Sequence, residues 1–252
     1  MKNSFLTLPK TVARKLSSFA EQYSVDLPPN MLEHWHWSNA NFPDADKMCS
    51  ILQGLWLKQV ASDRKVKRVL DIGCYTGFSA IAWFEGTVET CAEIITVEAD
   101  SRMASVARDA FARFGYDGRI TVLEGTSPDI LQSLSGEFDL VFVDMAFGAY
   151  LPTVQVLLER KILAPNGVIL VDNVFARGFV VDNSNLQDID SEQLKHWEES
   201  GELMKIFNRT MSQDQRVETL ILPVFDGISE IRWRKPNNSA QPSRTDTDTK
   251  GS

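Results

Sequence analysis

The sequence predicts an α/β fold, a seven-stranded, mostly parallel sheet with helices on both faces. Three observations carry that reading. Mostly apolar runs at 69–72, 94–97, 138–143 and 167–171 each stop at a glycine or an acid, as strands buried on both faces do. Helical spacing fills the gaps, most clearly at 101–114, which sets Met103, Val106, Ala107, Ala110, Phe111 and Phe114 on one face. The chain then closes on two strands, 216–223 and 227–233, around Val224-Phe225-Asp226-Gly227, an antiparallel β-hairpin.

Length and charge narrow the class. At 252 residues there is room for one sizeable α/β domain with decoration, and little for two. A formal charge of −8 with no stripe of Lys and Arg argues against a polynucleotide surface, so nucleic acid is not an expected partner. Cys49, Cys74 and Cys91 show no Cys-x-x-Cys pair and no metal-type spacing, and read as reduced thiols. No apolar stretch approaches membrane-span length and the start lacks a sustained apolar signal core, so the expectation is a cytoplasmic protein without membrane contact.

Taken in order, residues 11–23 place Val12, Leu16, Phe19, Ala20 and Tyr23 at helical spacing, a helix with one apolar face to cover the pocket or meet another subunit. Residues 31–37 follow the Pro28-Pro29 break and concentrate His34, Trp35, His36 and Trp37. One reading is an aromatic wall with an imidazole as base or metal ligand. The favoured reading is core packing, because histidines at i and i+2 lie on different faces of a helix. An apolar helix from Ile51 through Val60 then leads to the first strand.

That strand ends in Gly73-Cys74-Tyr75-Thr76-Gly77 and feeds straight into a helix, around which the rest is organised. Gly73 and Gly77 let the backbone approach a ligand at which the helix N–H groups point. The spacing is Gly-x-x-x-Gly, and a dinucleotide site wants Gly-x-Gly-x-x-Gly, so nicotinamide cofactors are disfavoured. Glu98 ends the second strand 21 positions after Gly77, where an acid accepts hydrogen bonds from ribose hydroxyls. A nucleoside ligand without phosphates follows, and S-adenosylmethionine fits it.

Beyond the helix at 101–114 and a third strand at 119–123, the turn Gly125-Thr126-Ser127-Pro128-Asp129 lies at a strand tip. Asp144 ends the strand 138–143, a helix begins near Tyr150, and Ala164-Pro165-Asn166-Gly167 turns into the strand ending in Asp172-Asn173. Right-handed crossover sets Asp144 beside Asp172 and Asn173 on the carboxyl edge. Two carboxylates and an amide oxygen make a hard set suited to Mg²⁺, against the alternative that strand-end Asp and Asn only cap loops. Residues 175–205 read as a long polar loop before a helix, either a lid or a plain insertion.

In Asp71-Ile72-Gly73-Cys74-Tyr75-Thr76-Gly77-Phe78-Ser79, Glu98, Gly125-Thr126-Ser127, Val143-Asp144, Val171-Asp172-Asn173-Val174 and Asp214-Gln215-Arg216-Val217-Glu218, the chain resembles the class I S-adenosylmethionine-dependent O-methyltransferases. Within them it is similar to the metal-dependent catechol and caffeoyl-CoA O-methyltransferases. The resemblance implies a Rossmann-like methyltransferase fold over residues 1–235. Residues 1–62 would supply accessory helices and an acceptor-site cover, 63–235 the catalytic core, and 236–252 a disordered tail.

The same resemblance implies roles. Met48 would cover the methionine end of the cofactor, with Asp71 and Ser79 fixing it around the Gly73–Gly77 turn. Glu98 would hold the ribose, and Tyr75, Thr126 and Ser127 the surrounding pocket, although Ser127 serves equally well as a helix N-cap. Asp144, Asp172 and Asn173 would carry Mg²⁺ or another divalent cation and with it catalysis. The acceptor would be a hydroxyl of a small aromatic molecule, of catechol or phenol type, and the enzyme a homodimer.

One departure stands out. The family reads Asp-x-x-Lys-x-x-Tyr after the first metal aspartate, with the lysine as expected base, whereas this chain has Asp144-Met145-Ala146-Phe147-Gly148-Ala149-Tyr150. Either the metal acidifies the hydroxyl alone, or His34 or His36 substitutes, or the chemistry has changed to metal-independent O- or N-methylation or to cofactor binding without turnover.

Overall fold

The computed structural model describes residues 10–181 and 191–235. The expected tail, 236–252, and residues 182–190 of the polar connection lie outside them. Three helices precede the sheet: α1 (Lys10–Gln22), α2 (Pro29–Asn41) and α3 (Ile51–Arg64). Then come β1 (Arg68–Ile72), α4 (Phe78–Gly86), β2 (Glu93–Glu98), α5 (Ser101–Phe114), β3 (Ile120–Glu124), α6 (Ser127–Ser133) and β4 (Phe138–Val143). The chain continues through α7 (Tyr150–Glu159), β5 (Leu163–Val171), α8 (Ser191–Gln213), β6 (Val217–Leu222) and β7 (Ile228–Trp233).

Local chemistry sets the helix ends. Asp100 caps α5 by accepting from the N–H groups of Arg102 and Met103 at 2.8 and 3.2 Å, and Gly115 closes it in left-handed backbone. Ser50 caps α3 by accepting from Gln53 N at 3.2 Å. Helices α3 and α4 pack through glycine, since a Cβ on Gly86 would stand 2.3 Å from the carbonyl oxygen of Lys58.

The seven strands run in the order β3-β2-β1-β4-β5-β7-β6, and only β7 is antiparallel to its neighbours. Alternate residues split the core between the two faces. Val69, Leu140 and Phe142 meet Phe78, Ile81 and Trp83 on one side, while Leu70, Val141 and Val143 meet Tyr150, Val154 and Phe207 on the other. Each such buried side chain stabilises the fold by roughly 1.5–3 kcal/mol.

Two details differ from expectation. The Ala164–Gly167 stretch is not a free turn but lies within β5, where pairing with β4 slips from Phe138↔Leu163 to Leu140↔Val168 as a bulge. Helix α1 forms, yet Leu16, Phe19 and Tyr23 on its apolar face are 44%, 57% and 70% exposed.

Strand order reverses between β1 and β4, the switch point at which open α/β sheets bind ligands. Registry makes the position sharper. Ile72 lies level with Val97 and Val143, and Val143 with Val171, so Gly73, Glu98, Asp144 and Asp172 follow as one row along the carboxyl edge.

Candidate active site

The glycine turn is built for close approach. Gly73 has φ +94°, and a Cβ there would lie 1.6 Å from the carbonyl oxygen of Asp144, so only glycine lets the tips of β1 and β4 meet. Gly77 at φ +100° lies against the Phe111 ring, and Tyr75 between them is also left-handed at φ 48°.

Asp71 sits under this turn with no exposed surface. Its carboxylate accepts from Ser79 Oγ at 3.0 Å, Thr96 Oγ1 at 2.7 Å and Trp83 Nε1 at 3.0 Å. Burial outweighs these donors and pushes its pKa up to about 6. Asp71 and Ser79 therefore brace the turn from below, and any effect on a ligand passes through its geometry.

Glu98 reaches across the turn from β2. One oxygen accepts from the N–H groups of Cys74 and Tyr75 at 3.2 and 2.7 Å, the other from Asp100 N at 2.9 Å, and the residue stays half-exposed. Met48 is placed by Thr76, whose Oγ1 donates to its sulfur at 3.8 Å and itself accepts from Ser38 at 3.0 Å. Trp37, Phe42, Ala45 and Met103 gather around Tyr75, whose hydroxyl donates to Asp44 at 2.8 Å. At the third strand tip, Thr126 is the N-cap residue and pairs with the Asp129 carboxylate at 2.6 Å. Ser127 is the first residue of α6, its buried hydroxyl bonded to Thr153 at 2.7 Å.

Beyond Gly73 the edge turns acidic. Carboxylate oxygens of Asp144 and Asp172 and the Sγ of Cys49 all lie within 4.8 Å of one another. Gln53 Nε2 donates to Asp172 Oδ2 at 2.5 Å, and the other oxygen of Asp172 accepts from Asn173 N at 2.8 Å. Asn173 itself is left-handed at φ 56°. Among the described residues no Lys or Arg pairs with either acid, and the Asp144 carboxylate accepts no hydrogen bond. Burial first, and then each other's charge, hold Asp144 well above the usual carboxylate range, and burial raises Asp172 to about 6. Two like charges in a half-dry site want a cation between them.

Cys49 and Gln53 are missing from the sequence-derived site. Gln53 left a trace, as a polar residue facing inward on the otherwise apolar start of α3. Cys49 left none, because its partners are about 100 residues away in the chain.

Phe147, at the position where the resemblance expects a lysine, lies in an aromatic cluster. Phe147 stacks on Tyr150 with ring centroids 5.7 Å apart and meets Trp197 at 5.9 Å, while the Tyr150 hydroxyl accepts from Met145 N at 3.2 Å and steadies the loop after Asp144. The alternative bases do not fill the gap. His34 is buried between Trp37 and Phe114, and burial lowers its pKa to about 4, so it stays neutral and enclosed. His36 is exposed against Trp35. It is the third histidine, His196, that lies 6.5 Å from the Phe147 ring. Arg177 then ties the outer walls together, lying 4.3 Å over Trp197, 3.5 Å from Asp46, and donating its backbone N–H to Asp226 at 2.9 Å.

A sequence profile described as O-methyltransferase matches residues 21–234. The chain belongs to this family. The O-methyltransferase is 32% identical to the O-methyltransferase ankF of Aspergillus thermomutatus over 92% of its own length and 98% of that protein. It is 25% identical to the catechol O-methyltransferase of Sus scrofa over 75% of this chain and 95% of that one. Among solved structures, the SAH-bound methyltransferase PaMTH1 of Podospora anserina superposes with a TM-score of 0.90 at 41% identity, covering 93% of this chain and all of that one. The enzyme is thus an S-adenosylmethionine-dependent methyltransferase with the Rossmann-like fold of its class. No helix among its described residues is long and apolar enough to cross a membrane.

Proposed function

We propose that this enzyme methylates a hydroxyl of a small aromatic acceptor of catechol or phenol type, one bearing vicinal oxygens, with help from a divalent cation. The observation that carries the reading is the pair Asp144 and Asp172, two acids within 4.8 Å and, among the described residues, without a protein counter-charge, next to the glycine turn. Asp144, Asp172 and Asn173 would hold the cation, whose chemistry when bound is to lower the pKa of a coordinated hydroxyl and to fix its orientation.

The chain's own residues supply the rest. Glu98 presents carboxylate lone pairs to ribose hydroxyls. Gly73 and Gly77 let the turn close against Asp144 and Phe111, and so set the floor on which the methionine part would lie beneath Met48 and Tyr75. The 126–127 turn bounds the adenine side. Gln53 holds Asp172 in one orientation. Phe147 and Trp197, backed by the buried Tyr150, form an apolar wall that suits a flat ring and excludes water. Transfer then depends on an acceptor oxygen held in line with the methyl group, so positioning supplies most of the acceleration.

Methyl transfer from labelled S-adenosylmethionine to a panel of catechols and phenols tests this, run with Mg²⁺ or chelator on wild type and Asp172→Ala. Activity requiring both the cation and Asp172 supports the reading. Phe147 in place of the family lysine favours one other, transfer by proximity to a hydroxyl or amine without a metal, and turnover unchanged in chelator would decide for it.

A further inference from the structure

Cys49 sits where a ligand would. Its Sγ lies within 4.8 Å of a carboxylate oxygen of both Asp144 and Asp172, the residue is only 7% exposed, and the three groups arrive from three separate segments. Its place is fixed on both sides. Trp35 Nε1 donates to the Cys49 carbonyl at 3.3 Å, Ser50 caps α3, and one turn on Gln53 grips Asp172. Among the described residues no side chain of another residue hydrogen-bonds the thiol, and its sulfur faces the acid pair with only the backbone N–H of Cys49 beside it.

We propose that Cys49 is a third protein donor to the cation of this site, as thiolate sulfur beside the two carboxylates. This rests on the cation reading above. Coordination breaks the S–H bond, forms a sulfur–metal bond, and releases the proton to solvent. The set is then no longer all oxygen. Mg²⁺ is a hard ion that keeps oxygen ligands, whereas thiolate favours borderline and softer ions, so this site prefers Co²⁺ or Zn²⁺ to Mg²⁺.

The test is a Co²⁺ titration of chelator-stripped full-length protein, read by absorbance in a Cys91→Ser background that removes the exposed thiol. The expected result is visible d–d absorption together with a near-ultraviolet thiolate-to-cobalt band, both saturating at one equivalent. Cys49→Ser should keep the d–d absorption and lose the charge-transfer band. It should also lower the Co²⁺-over-Mg²⁺ preference in competition by about tenfold or more. A saturating d–d spectrum without the band, unchanged by Cys49→Ser, would overturn the sulfur ligand and leave the acid-pair site standing. Absence of any Co²⁺ binding, or binding untouched by Asp172→Ala, would overturn both.

Discussion

Replacing Gly73 by alanine puts one methyl group into the joint between cofactor turn and acid pair. The added Cβ would begin 1.6 Å from the Asp144 carbonyl oxygen, and contacts under 3.0 Å are not sustained, so the tips of β1 and β4 have to part by about 1.4 Å. The opposing atom is backbone, held by the hydrogen bond from Asp144 N to Ile72 O at 2.9 Å, and cannot swing aside. Left-handed backbone costs alanine roughly 1–2 kcal/mol more, and overpacking adds about 1–3 kcal/mol. A combined loss of about 2–5 kcal/mol corresponds to a Tm lower by roughly 5–20 °C in a chain of this size. Because the displaced residue carries one of the two acids proposed to hold the cation, methyl transfer should fall by about 100-fold or more in whatever fraction folds. Thermal unfolding, cofactor titration and turnover would be read on Gly73→Ala beside Gly118→Ala, where a Cβ meets nothing within 4 Å. If Gly73→Ala unfolds within about 2 °C of wild type and turns over normally while Gly118→Ala does the same, the close approach is not why glycine stands there.

Three further outcomes follow from the same geometry. Asp71 and Asp172 both rise to about 6 from an ordinary 3.8, so the folded state keeps protons that the unfolded chain has released; metal-free protein should lose stability as pH rises from about 4 to about 6, and Asp71→Asn should flatten its share of that slope in a Tm series across pH. Protons compete with the cation for Asp172, for Asp144 and for the Cys49 thiol, so calorimetric Mn²⁺ affinity should fall by about tenfold or more per pH unit below about 6 and go on rising with pH above it. Gln53→Leu removes the 2.5 Å donor to Asp172 and should weaken Mn²⁺ binding by roughly 10–100-fold while S-adenosylmethionine binding stays within about twofold; equal losses of both ligands would point to misfolding instead.

The sheet was legible because its strands are apolar runs that end abruptly, and helix α5 because a periodic apolar face runs through residues 101–114 and a glycine, Gly115, closes it. Asp144, Asp172 and Glu98 were readable as strand ends, since registry in a parallel sheet makes strand ends neighbours. Burial was less readable. His34 shows the same imidazole whether it faces a pocket or is shut between Trp37 and Phe114, and only packing decides. Cys49 was invisible as a site residue for a related reason, because the segment before α3 is brought to the acid pair by tertiary packing, and Gln53 showed only as a polar residue in an apolar helix start. Bulging of residues 164–167 into β5 likewise depends on the partner strand, as Pro165 and Gly167 locally spell a turn.

Asp144 turns its carbonyl to Gly73 and its carboxylate toward Asp172, so a single residue joins the glycine turn to the acid pair. Such a joint leaves little freedom for change. On the proposed reading, altered taste for acceptors would come from the surrounding walls, from the aromatic face of α8, the Arg177 tie and the hairpin tip, none of which lies in the parallel sheet. An engineer seeking a new acceptor would start there and leave the strand ends alone.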